Sequence, residues 1–496
     1  MEYHLLTYSF LFLPIILILY KLTPSKFRWC LLLVVDIAFY LMISKALIVF
    51  FIFAVVITYC TGLMIDRLGS SNKYTGKMLK KHKRIILFIG IILNLSMLIV
   101  FKYFKLIGIS FIAPIGISYY TLQTISYMTD ICRRTISCEQ NIGKLALYLS
   151  YFPQVIEGPI SRYSNMKNEL FAGKDLSYTN ITSGYQRILW GLFKKMVIAD
   201  HLAPAVYKIF LHPENYDGTV IAIGAIMFTT QLYAEFSGCM DIIIGSSETL
   251  SITLPENFRQ PFFAKNASDF WHRWHITLGT WLKDYIFYPI SLAKPLKKLS
   301  KKAKTIVGIN ISKMIVPTIA LFFVWLTNGI WHGAGLTYLF YGMYYFVLIF
   351  IETICEPHIE KFCQKHSIYE SNLLISSFRA LKLFVIVNIG EMFFRAKSIT
   401  SGFNMFKKII FDFHLSSLKD ANWGIDKYDM IICFFAIILL FIVDFIHEKN
   451  IKLRDVISNY KLPIRWAIWY ALIFSIILTG AYGAGYTVID MIYAAY

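Results

Sequence analysis

Apolar runs of 17 or more residues recur along nearly the whole chain, and short basic loops separate several of them. About 20 apolar residues cross the hydrocarbon core of a bilayer, so this repetition limits the chain to a polytopic membrane fold. Composition agrees: of 496 residues 57% are hydrophobic and 16% charged, where a soluble domain is nearer a quarter charged. The expectation is an all-α polytopic membrane protein of roughly 10–12 transmembrane helices plus re-entrant or interfacial ones, with the lipid bilayer as first partner. The first run, Leu5 to Tyr20, lacks a basic leader and a small-x-small cleavage site, so it reads as a retained helix rather than a signal peptide.

Charge placement sets the topology. Asp66 to Arg84 holds Arg67, Lys73, Lys77, Lys80, Lys81, Lys83 and Arg84 against one acid, and Lys294 to Lys304 holds six lysines and none. Basic loops between apolar runs face the inside, which places the N-terminus outside, with Lys21, Lys26 and Arg28 in the first inner loop and Arg133 and Arg134 after the fifth span. The net charge of +19 is therefore a membrane-topology signal with affinity for anionic headgroups, and no nucleic acid is expected. Eight scattered cysteines without a Cys-x-x-Cys pair point to neither a disulfide nor a metal.

The expected spans lie near 5–22, 27–43, 46–65, 85–101, 108–129, 306–330, 334–353, 374–393, 430–447 and 464–482, with further membrane segments at 190–211, 220–236 and 240–254, the last interrupted by polar residues. Leu145 to Ile160, with Pro153, Glu157, Gly158 and Pro159, reads as re-entrant, and Phe270 to Ile290 as interfacial. Phe403, Phe406, Ile409 and Ile410 are spaced for an amphipathic helix in the polar stretch 396–429. Without repeats or low-complexity tracts, residues 1–496 read as one membrane domain.

Three groups of residues are candidates for chemistry. Pro317 to Ile351 contains no Lys, Arg, Asp or Glu, and its one histidine is His332, in Asn328-Gly-Ile-Trp331-His332-Gly-Ala-Gly335. From Pro317 to Trp331 a helix would rise roughly 20 Å, short of the core thickness, so unless the helix begins well before Pro317, His332 lies below the far interface. An imidazole there, flanked by Asn328 and Trp331, suits a general base; the alternative is a histidine hydrogen-bonding between helices. The second group is Phe270-Trp-His272-Arg273-Trp274-His275, followed by Asp284. His272 and His275 share a helical face, and Arg273 or Asp284 is placed to orient an imidazole; the alternative is an interfacial anchor. Two histidines are too few for a catalytic metal site. The third group is the acids Glu157, Asp200, Glu235, Asp241, Asp284 and Glu391, either proton-path residues or partners for Arg162, Lys194, Lys195, Arg273 and Arg395.

Taken together the segments resemble the membrane-bound O-acyltransferase (MBOAT) superfamily, and within it the alginate O-acetyltransferase family of bacterial polysaccharide and peptidoglycan acetylases. The resemblance rests on Pro114–Asp130, Tyr151–Arg162, Gly191–Asp200, Leu254–Phe258, Phe270–Tyr288, Asn328–Gly335 and Glu391–Ala396, and is strongest over 85–400. It implies an MBOAT fold with a central funnel, His332 as the essential catalytic residue and His275 as a second catalytic position. Asn328, Trp331, Arg273, Trp274, Asp284 and Glu235 become supporting or substrate-binding residues. Glu235 stands where the family pattern has Asp, His272 where relatives carry Arg or Asn, and Met491–Tyr496 matches the family ending loosely.

The resemblance further implies no bound cofactor, acetyl-CoA as cytoplasmic acyl donor, and outward transfer of acetyl across a bacterial cytoplasmic membrane for O-acetylation of a cell-surface glycan or exopolysaccharide. The implied partners are an extracytoplasmic SGNH-hydrolase-like transferase and glycan synthase machinery. Two alternatives stay open: D-alanyl transfer to teichoic acid, and a non-enzymatic polysaccharide exporter or proton-coupled transporter.

Overall fold

A computed structural model describes residues 6–70, 75–109, 111–366 and 373–482. The tail from Met491 lies outside them. Among the described residues the structure is helical, with one isolated β-bridge between Phe258 and Trp274. Among the described residues seven helical stretches are long and apolar enough to cross a membrane: Ser25–Ser70, Gly76–Tyr103, Gly218–Thr249, Gly308–His332, Leu336–Lys365, Lys427–Glu448 and Leu462–Thr479. The protein is an all-α, multi-pass membrane protein. Outward Phe, Ile and Leu side chains cover these helices, as lipid in place of water requires.

Two expected boundaries move. The runs at 220–236 and 240–254 form one helix, Gly218–Thr249; the small and polar residues between them are buried, so packing overrides the interruption. The fifth helix runs Ile117–Arg133 rather than from 108, beginning after Gly116 in the left-handed conformation (φ 77°). Pro317 lies inside a helix, as the expected span at 306–330 has it: a non-helical Gly308 (φ 81°) marks a break, and a span runs on from there to His332. The depth estimate made from Pro317 therefore does not hold, and the apolar setting of His332 comes from protein around it.

The chain gathers into two compact units. One comprises the residues up to Leu192 with Gly238–Glu256; the other comprises Phe193–Ser237 and the chain from Asn257. In the first, Ile142–Ser150 leads into an irregular segment whose residues Tyr151 to Ser161 are all buried. Asp36, fully buried, accepts hydrogen bonds from the Ser150 hydroxyl and the Phe152 amide, each at 2.9 Å. Non-helical backbone at membrane depth survives where protein satisfies it. The second unit holds both candidate histidines and has a π-helical turn, Phe193–Ala199, in its first segment. The stretch expected to lie at the interface is broken into Ala267–Arg273, Ile276–Leu282, a π turn Lys283–Phe287, and Tyr288–Ser291. An amphipathic helix, Ile399–Phe411, forms within the polar stretch, burying Gly402 and Met405.

Candidate active site

His332 is the last residue of the Lys294–His332 helix; Gly333 is extended, and the next helix, Leu336–Lys365, starts three residues later. So short a link brings the two helices together as a hairpin, and two glycines let them touch. A Cβ on Gly329 would meet the Tyr338 carbonyl oxygen at 2.6 Å, and one on Gly342 would strike that of Trp325. The approach seats His332, 3% exposed, among aromatic rings. Trp331 lies 5.0 Å from it between centroids, Phe394 5.3 Å and Tyr341 6.0 Å, all near perpendicular. Asn328, one turn earlier and 4% exposed, makes no side-chain hydrogen bond among the described residues, and its Oδ1 is sealed from solvent.

His275 occupies the break between Ala267–Arg273 and Ile276–Leu282, with left-handed backbone (φ 46°, ψ 50°). A non-glycine residue there is strained and needs outside support. Asn257 provides it. Its backbone carbonyl accepts the Ile276 amide at 3.0 Å, and its Oδ1 accepts the Thr277 amide at 3.1 Å and the Thr277 hydroxyl at 2.9 Å. Because a backbone N–H only donates, the Asn257 amide orientation is determined, and His275 Nδ1, 3.2 Å from the same Oδ1, carries a proton. The segment is outside the seven spans, and burial pushes the His275 imidazole down to about 3. The neutral ring therefore presents Nε2 as an acceptor.

One side chain joins the histidines. The Trp331 ring lies 5.9 Å from His275 and 5.0 Å from His332, while Phe236 closes on His275 at 4.9 Å. Residues 57 positions apart in sequence thus share one aromatic chamber.

The other expected residues have different surroundings. Arg273 binds Asp269 at 3.0 Å and Glu448 at 2.7 Å, fastening its helix to the end of Lys427–Glu448 instead of orienting an imidazole. Trp274 is a wall residue, 5.5 Å from Phe270 and 5.1 Å from Phe258. Asp284 is half-buried in the Lys283–Phe287 turn. Glu235 takes part in a buried ion cluster, 3.3 Å from Lys195 Nζ, which also binds Asp200 at 2.8 Å. Asp241 pairs with Arg187 at 2.9 Å. His272 and His275 do not share a helical face, because the helix stops between them; His272 is exposed, its Nδ1 2.7 Å from the Ser268 carbonyl. Among the described residues no group of three or more His, Cys, Asp or Glu is placed to hold a metal.

Sequence reasoning assigned no role to Asn257 or Tyr341. Asn257 lies in a quoted stretch, Leu254–Phe258, but nothing in its spacing announces that its amide supports a residue 18 positions on.

The sequence of residues 140–307 matches the profile of the membrane-bound O-acyltransferase family, MBOAT. A probable alginate O-acetylase of Pseudomonas aeruginosa is 29% identical over 435 residues, covering 84% of this chain and 76% of the relative. A peptidoglycan O-acetyltransferase of Helicobacter pylori is 31% identical over 369 residues, covering 66% and 65%. A teichoic acid D-alanyltransferase of Bacillus subtilis is 28% identical over 290 residues, covering 58% and 69%. With these likenesses and an all-helical membrane fold, the chain belongs to the membrane-bound O-acyltransferase family and is an O-acyltransferase.

Proposed function

We propose that the chain moves an acetyl group from cytoplasmic acetyl-CoA across a bacterial inner membrane, N-terminus outside, for O-acetylation of a cell-surface glycan or exopolysaccharide. The observation that carries the reading is the chamber in which Trp331 joins His332 to His275. Both units of the fold are taken as parts of one acyltransferase domain. Likeness to alginate and peptidoglycan O-acetylating relatives supports acetyl as the group and a glycan as the destination.

In this mechanism neutral His332 takes the proton of the accepting hydroxyl, on the glycan or on a relay nucleophile, as its oxygen attacks the thioester carbonyl. A C–O bond forms, the C–S bond breaks, and the proton held by His332 passes to the departing thiolate. The Asn328 amide, one turn away and without a side-chain hydrogen bond among the described residues, donates to the carbonyl oxygen as it becomes an oxyanion. His275 serves as an acceptor through Nε2, binding a donor on the substrate, because Nδ1 is committed to Asn257. An extracytoplasmic SGNH-hydrolase-like transferase and a glycan synthase are the proposed partners. No bound cofactor is required by these steps.

The test follows labelled acetyl from acetyl-CoA into surface glycan in cells carrying His332→Ala at matched membrane levels. Loss of label is expected, and undiminished label would sink the assignment. Likeness to a teichoic acid D-alanyltransferase favours a second reading, D-alanyl transfer; incorporation of labelled D-alanine in place of acetyl would select it.

A further inference from the structure

Glu391 is 1% exposed near the end of the Leu373–Arg395 helix. Its Oε1 accepts the Tyr341 hydroxyl at 2.8 Å, while Oε2 is sealed from solvent with no hydrogen bond among the described residues. Arg395, the basic residue one turn on, is occupied elsewhere, over the Phe210 ring at 6.0 Å. A carboxyl group is expensive to bury, and one tyrosine hydrogen bond does not repay the desolvation. As a packing residue Glu391 makes little sense, since an apolar side chain would fill the place at lower cost.

Its geometry shows what it holds. Tyr341, 1% exposed, stands perpendicular to His332, with ring centroids 6.0 Å apart. Phe394, one turn after Glu391 on the same helix, stands perpendicular to His332 at 5.3 Å and touches Tyr341 at 4.9 Å. One helical turn thus delivers a ring against the imidazole and an anchor for the other ring against it. A tyrosine in an aromatic cluster can slide or tilt; a hydrogen bond at its far end removes that freedom.

We propose that Glu391 is a positioning residue for His332: by binding the Tyr341 hydroxyl it locks the Tyr341 ring, which with Phe394 fixes the imidazole in place. The inference rests on His332 being the base of the proposed acyl transfer. Its working part is the hydrogen-bond acceptor, not the charge, so an amide at this position substitutes for the acid.

The experiment uses full-length protein in inverted membrane vesicles and measures release of free coenzyme A from acetyl-CoA. Glu391→Leu and Tyr341→Phe are each expected to lower kcat on the order of 10- to 100-fold, the scale of a small misplacement of a reacting group, with KM little changed. Glu391→Gln should recover most of that loss, and the Leu/Phe double variant should lose no more than either single, as for two ends of one bond. A Gln variant as impaired as Leu, or additive losses, would overturn the positioning role, as would unchanged kcat in both singles. Where Glu391→Leu fails to reach the membrane, Tyr341→Phe, which removes one oxygen, and Glu391→Gln carry the test. His332→Ala runs alongside: activity in that variant defeats the underlying reading, whereas an inactive His332→Ala beside unaffected Tyr341 and Glu391 variants defeats this inference alone.

Discussion

The His275 imidazole and the Trp331 indole stand 5.9 Å apart at a steep angle, and the His332 imidazole lies 5.0 Å from the same indole. Trp331 is 8% exposed and acts as a spacer between the two candidate catalytic rings. Trp331→Phe keeps an aromatic wall and should retain partial acetyl incorporation. Trp331→Ala opens a cavity costing about 3–5 kcal/mol, and should abolish incorporation and lower the melting temperature in detergent. Equal activity of the two variants would remove the spacer role.

Asn257 supports His275 from a residue that spacing alone does not single out. Asn257→Ala removes the acceptor for three donors and leaves the buried Thr277 amide and hydroxyl to seek others, at about 1–3 kcal/mol for each unsatisfied group. Asn257→Asp keeps the acceptor. Acetyl incorporation should therefore fall steeply in the Ala variant and less in the Asp variant; the reverse order would show that the amide NH₂, not the oxygen, matters.

Protonation of His275 sets an acid limit on stability. Its folded value is pushed down to about 3 from the ordinary imidazole value of 6.5, so between those values the unfolded chain binds a proton that the folded chain refuses. Stability is fully present above about pH 6.5 and falls by about 1.4 kcal/mol per unit below it. The melting temperature of purified protein should drop from pH 7 to pH 5, and His275→Gln should blunt the drop. An equal slope in that variant would assign the acid sensitivity to other groups.

The membrane class and the neighbourhood of His332 were legible because each rests on local pattern: long apolar runs, and one histidine among small and aromatic residues. What escaped depends on partners distant in sequence. Gly218–Thr249 reads as two segments until its polar residues are seen to be buried, and the break at Gly308 is not announced by the apolar run around it. The pairing of His272 with His275 assumed a helix that stops between them. Arg273 announced a charge near a histidine but not that Glu448, 175 residues away, would claim it.

Glu235 illustrates the same limit and gives another prediction. Lys195, with a fully buried side chain, lies within 2.8 Å of Asp200 and 3.3 Å of Glu235. Lys195→Met would leave buried Glu235 and partly buried Asp200 without their shared cation, a loss of about 3–5 kcal/mol. Low membrane yield is expected, with improvement when Glu235→Gln is added. No improvement would mean that the pair is not coupled through Lys195.

The buried segment Tyr151–Ser161 constrains how the protein is made. Asp36 sits in the Arg28–Ser44 helix, and its partners Ser150 and Phe152 arrive more than a hundred residues later. Until they do, the acid faces either lipid or an incomplete bundle, and the irregular segment has no satisfied conformation of its own. A nascent chain stopped before Ser150 is therefore an intermediate with an exposed membrane-embedded acid, the kind of species that proteolytic surveillance removes. Synthesis of this protein has a vulnerable interval whose end is marked by one carboxylate acquiring an amide.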